Sequence, residues 1–140
     1  YKVSDDVFAK LSELFDAGCC DDNGTKACIA KEFNEHKYLC DTHTAVAVSV
    51  YEDYAKRTED TTPTVIASTA NPFKFSKAVL DAVRPGMAEN LDEFEMVTAL
   101  HDETGEVCPP QLANLKGKNP RFTGCCKKED MEQVVFDLLK

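Results

Sequence analysis

Residues Thr64–Ser76 read TVIASTANPFKFS, and how this stretch folds decides what surrounds it. Its first half is a continuous run of β-branched and apolar residues, the pattern of a parallel strand covered on both faces. Pro72 then supplies a fixed φ and no N–H, which suits the first position of a helix. The sequence therefore predicts a strand, a turn at Asn71 and a helix over FKFSKAVLDAV that breaks at Arg84-Pro85-Gly86. In open α/β sheets, ligands bind beyond the carboxyl ends of parallel strands. Ser68 and Thr69 stand at that end. Their hydroxyls can cap the following helix or bond a bound ring or phosphate, and the residues alone favour capping.

Upstream, Ser4 caps an expected amphipathic helix SDDVFAKLSELFDAG, with Val7, Leu11, Leu14 and Phe15 on one face and Gly18 as its terminator. DDNG at 21–24 reads as a turn, and Thr25 as the cap of a second helix carrying Cys28, Ile29 and Phe33 toward the core. Tyr38-Leu39-Cys40 is a short apolar step that reads as one further strand. Asp41 or Thr42 can cap a third helix, HTAVAVSVYEDYAKR, whose small apolar first half suggests burial on more than one side. Downstream, ENLDEFEMVTALHDET has Leu91, Phe94, Val97 and Leu100 in helical phase. A short helix PQLANLKG and a closing helix KKEDMEQVVFDLLK follow. One convincing strand without ladder partners would leave backbone groups unpaired. Its partners are expected in sequence outside this chain.

The 140 residues are enough to bury a core, and their balance of 43% apolar and 29% charged is that of a globular protein. A net charge of −9, from 16 basic and 25 acidic residues, argues against nucleic acid or an anionic membrane surface as partner. No apolar run approaches the roughly 20 residues of a bilayer span. YKVSDDVFAKL is not a signal peptide and has no starting Met, so the chain is expected to begin within a longer product or to be processed. The seven cysteines are odd in number and include two adjacent pairs, which reads as reduced thiols of a cytoplasmic protein.

STANPFKFSKAV resembles a threonine synthase motif of the type serine-threonine-alanine-histidine-proline, then small residue-lysine-phenylalanine. DTHTAVAV at 41–48 is similar to that family's aspartate-proline-histidine-threonine-alanine-valine motif. The resemblance covers nearly the whole chain, most specifically Gly18–Val79, and departs from the family at Thr42 and Asn71, where proline and histidine are usual. It implies an α/β class: a mostly helical fragment of a three-layer αβα large domain, related to tryptophan synthase β, with one or two strands. Residues 1–84 would belong to the domain that binds pyridoxal phosphate, and 85–140 would form a helical extension packed on it. The implied enzyme is a lyase that converts O-phosphohomoserine and water to threonine and phosphate. By position, Thr69 would bond the cofactor's pyridine nitrogen with Ser68 as its neighbour, leaving that nitrogen largely unprotonated. Lys74 and His43 are weaker candidates for the substrate side. For Lys74, a solvated lysine in a first helical turn is the competing reading; for His43, it is a hydrogen-bonded structural histidine.

The resemblance also implies groups this chain does not carry. A Schiff-base lysine and a glycine-rich phosphate loop are needed, yet Phe73-Lys74-Phe75 is not the family's lysine context and the six glycines are scattered. No catalytic residue is therefore assigned, and the chain alone is expected to be inactive and to hold no cofactor. Its expected partners are the N-terminal remainder of the enzyme, the substrate, and a second copy through exposed apolar surface. The alternatives are a small helical interaction module or a thiol or zinc site. For zinc, Cys28, His36 and Cys40, or Cys19-Cys20 with Cys125-Cys126, have suitable ligand types but not finger or ribbon spacing. DDNG fails as a calcium loop, because the first and twelfth positions would be Cys19 and Ala30.

Overall fold

Helix α4, Ser76–Val83, lies at the centre of the molecule and buries Val79, Leu80, Ala82 and Val83. The computed structural model describes residues 2–139; Tyr1 and Lys140, the outermost residues of the two expected units, lie outside the described residues. The other helices are α1 (Asp5–Ser12), α2 (Asp22–His36), α3 (Thr42–Thr58), α5 (Glu93–Thr104), α6 (Pro110–Ala113) and α7 (Met131–Leu138). α2 packs on α3 and on α4, and α5 also packs on α4. Ile29, Val79, Leu80 and Leu100 have no exposed surface. Burying each such side chain stabilises the fold by about 1.5–3 kcal/mol before entropy is counted.

Short polar signals set the boundaries of these helices. Asp21 caps α2 by accepting from the Gly24 N–H. DDNG is therefore not a turn before the helix but its first turn, because an Asp cap competes better for the free N–H groups than Thr25 does. Thr25 instead donates back to the Asp21 carbonyl. α2 ends at Lys37, in the left-handed region at φ 57°, where the Lys37 and Tyr38 N–H groups close onto Phe33 and Glu32. α5 opens with a reciprocal capping box between Asp92 and Glu95 and ends at Gly105, φ 76°. α1 stops at Ser12, short of the expected Gly18, and none of its residues is buried.

The two expected strands are corrected: among the described residues no strand forms at 64–69 or at 38–40. A strand is defined by its ladder, and among the described residues no second strand is present to complete one with TVIAST. Val65 is 95% exposed. Leu39 and Cys40 are buried, but as an irregular link between α2 and α3. The described chain is thus mostly helical. Two further apolar surfaces stay open, Val7, Phe8 and Leu11 on α1 and Val134, Val135 and Phe136 on α7. No helix among the described residues is long and apolar enough to cross a membrane.

Candidate functional site

The site grows from one buried carboxylate. Asp41 has no exposed surface and caps α3, accepting at Oδ1 from the N–H groups of His43 (2.8 Å) and Thr44 (3.3 Å). Its Oδ2 accepts from the Thr44 hydroxyl. Burial pushes this carboxyl up, but the hydrogen bonds from Thr44 and from the backbone of His43 and Thr44 outweigh it and hold the group below its usual range. Asp41 is therefore an ionised cap, with His43 Nδ1 also 3.4 Å from its Oδ1.

Thr44 carries the arrangement outward. Its Oγ1 lies 3.0 Å from Ser68 Oγ, which in turn is 3.2 Å from the Tyr38 hydroxyl. A row of four oxygens thus runs from the buried cap to the exposed segment 64–70. Three residues beyond Ser68, Asn71 Oδ1 accepts from the Phe73 N–H at 3.0 Å and starts a 3-10 turn over Pro72–Phe75. That turn buries Phe73 and sets the Phe75 ring against His43, with centroids 4.9 Å apart. The two sequence motifs therefore meet twice, through Thr44–Ser68 and through His43–Phe75.

The residues singled out from sequence are placed unequally. Ser68 belongs to the oxygen row, and His43 flanks it on the next residue to Thr44. Thr69 is exposed, and among the described residues its hydroxyl has no hydrogen-bond partner. Ser68 and Thr69 do not cap the following helix, since Asn71 takes that role. His43 lines a groove of about 590 Å³ with Cys20, Lys26 and Lys77. Lys74 opens instead into a groove of about 550 Å³ among Phe73, Phe75, Met96, Val97 and Leu112. Tyr38 and Thr44 were not legible as site residues. The spacing Asp41-x-x-Thr44, an acceptor followed three residues later by a hydroxyl in a first turn, is the one signal that pointed to the second of them.

All seven cysteines are free thiols, and among the described residues no three His, Cys, Asp or Glu side chains group as metal ligands. Cys28 and Cys40 are buried in the core, where Cys40 is pushed up to about 12, first by burial and then by the neighbouring Cys28.

A family model described as "Threonine synthase, C-terminal" matches residues 44–135. The chain is 34% identical over 85 residues to threonine synthase-like 1 of Homo sapiens, a match covering 60% of this chain and 11% of that protein. It is 32% identical over 129 residues to threonine synthase-like 1 of Mus musculus, covering 92% of this chain and 16% of that protein. The chain thus spans less than a fifth of the length of these relatives.

Proposed function

Because this chain belongs to the threonine synthase family by its C-terminal region, we propose that it is the C-terminal part of a pyridoxal-phosphate lyase converting O-phosphohomoserine and water to threonine and phosphate. The observation that carries this reading is the Thr44–Ser68 contact of 3.0 Å, which brings the DTHTAVAV and STANPFKF segments to one exposed edge. The side chains there fit one side of the cofactor. The free Thr69 hydroxyl can donate to a pyridine nitrogen, and Ser68 stands beside it. They do not fit the phosphate side, since glycines 18, 24, 86, 105, 117 and 124 form no cluster.

When bound, the cofactor supplies the electron sink for elimination and replacement. This chain's own work is narrower. Thr69 would donate to the ring nitrogen and so keep it unprotonated, Ser68 would flank that contact, and His43 would face the substrate's anionic groups, whereas Lys74 opens into a separate groove. The N-terminal remainder supplies the Schiff-base lysine, the phosphate loop and the strands beside TVIAST, completing a three-layer sheet in which Val65 is covered. Such a protein works in the cytoplasm, in keeping with its free thiols.

Absorbance with added pyridoxal phosphate tests this. The chain alone is expected to give no stable cofactor band, and mixing it with the separately produced remainder restores one. Val65→Asp leaves the chain's own thermal midpoint unchanged, since the side chain is 95% exposed, but abolishes that restoration. A chain that binds the cofactor stably by itself, or a remainder that binds it equally well without this chain, overturns the reading.

A further inference from the structure

We propose that Asp41, acting through Thr44 and completed by Tyr38, locks Ser68 into a hydroxyl that can only accept a hydrogen bond from a ligand. The argument is a count of protons along four oxygens. An ionised carboxylate has none to give, so the single Thr44 proton points at Asp41 Oδ2. The 3.0 Å contact between Thr44 and Ser68 then requires Ser68 to donate. With its only proton committed, Ser68 meets the Tyr38 hydroxyl at 3.2 Å as an acceptor. One lone pair of Ser68 remains, and the residue is exposed. Thr44 and Tyr38 are thus positioning residues, and Asp41 sets the direction of every proton in the row.

The consequence rests on the pyridoxal-phosphate reading. Ser68 is complementary to an N–H or O–H group and cannot donate to an unprotonated pyridine nitrogen. Thr69, unpartnered among the described residues, is the one of the two hydroxyls free to do so. Adjacent and chemically alike, the two residues are made unequal by what lies beneath one of them.

Two measurements on the full-length protein test this separately. Without cofactor, denaturation midpoints are compared for Thr44→Val, Ser68→Ala and the double variant, with Tyr38→Phe and its double with Ser68→Ala as a second pair. The proposal expects each double variant to shift the midpoint by clearly less than the sum of its singles, because each removes the same row. Additive shifts in both pairs overturn it. With cofactor, Thr69→Val is expected to weaken pyridoxal-phosphate binding about tenfold, the scale of one hydrogen bond, and Ser68→Ala by much less. The reverse order shows Ser68 to be the donor and overturns the proposal. A wild-type protein that binds no pyridoxal phosphate overturns the function reading and the Thr69 assignment with it, whereas additive midpoints in a protein that does bind it overturn the proton row alone.

Discussion

The imidazole of His43 and the ring of Phe75 pack 4.9 Å apart at an interplanar angle of 53°, joining the first turn of α3 to the turn that opens α4. Tilted aromatic pairs of this kind contribute roughly 0.5–1.5 kcal/mol beyond their buried area. Phe75→Leu keeps most of the apolar contact and loses the ring pair. It is expected to lower stability by about 1 kcal/mol, and by much less in a His43→Ala background. Urea denaturation of the four proteins checks this, and equal losses in both backgrounds would show that the pair contributes nothing.

Asp41 ties stability to acid pH. Its carboxyl is depressed in the fold, on balance by the hydrogen bonds from Thr44 and the backbone, from a reference value of 3.8. The linked stabilisation is fully present above that reference and is lost as pH falls through the lower folded value. Asp41→Asn should flatten the decline in thermal midpoint below about pH 4, and should lower the midpoint at neutral pH, where a buried cap is worth roughly 1–2 kcal/mol. Exposed Asp6 and Asp16 and half-buried Asp60 are depressed as well, so part of the slope remains in the variant. An unchanged slope in Asp41→Asn would place the acid sensitivity entirely in those surface groups.

Gly18 is held by close approach rather than by an unusual φ. A Cβ there would stand 2.9 Å from Cγ1 of Val50 on α3, and a β-branched side chain on a helix has no free rotamer with which to yield. Gly18→Ala is expected to cost roughly 1–3 kcal/mol by overpacking. Adding Val50→Ala should recover part of that loss, although Val50→Ala alone destabilises. Thermal midpoints of the three variants decide it: a double variant worse than both singles would mean that the glycine serves something other than clearance.

Thiol reactivity should divide the cysteines by position. Cys19, Cys125 and Cys126 are exposed, while Cys28 and Cys40 are buried and Cys40 is pushed up to about 12. Iodoacetamide at pH 8 is expected to modify the exposed three within minutes and to leave Cys28 and Cys40 unmodified until denaturant is added. Peptide mass mapping reads the outcome. Early modification of Cys40 would mean that the link between α2 and α3 opens readily.

Most of the helical layout was legible from periodicity and caps. The apolar phase of α4 and α5, the Asp41 cap and the Pro72 start of the turn into α4 depend on residues within a few positions of one another, and local chemistry decides them. Where a stronger local competitor was present, it won: Asp21 captured the start of α2 ahead of Thr25, and Asn71 took the cap that was the alternative role for Ser68 and Thr69. The strands failed for a different reason. β-branched residues in TVIAST state a preference for extended backbone, but pairing is a relation between segments, and none of the described residues supplies the second one.

What the sequence by itself determined is the family, the helices and the identity of the two motifs, because each is written in contiguous residues. What only the tertiary structure decided is how those motifs meet. Ser68 and Thr69 look interchangeable in STANPFKF, and Tyr38 and Thr44 look like linker and helix. The fold of segment 64–70 against the start of α3 and the α2–α3 link brings oxygens separated by 24 and 30 residues within hydrogen-bond distance of Ser68. Proton direction then follows from the one member of the row that is a buried anion, Asp41. Hydrogen bonds between distant segments depend on distances of a few tenths of an ångström, which no spacing in a linear sequence encodes.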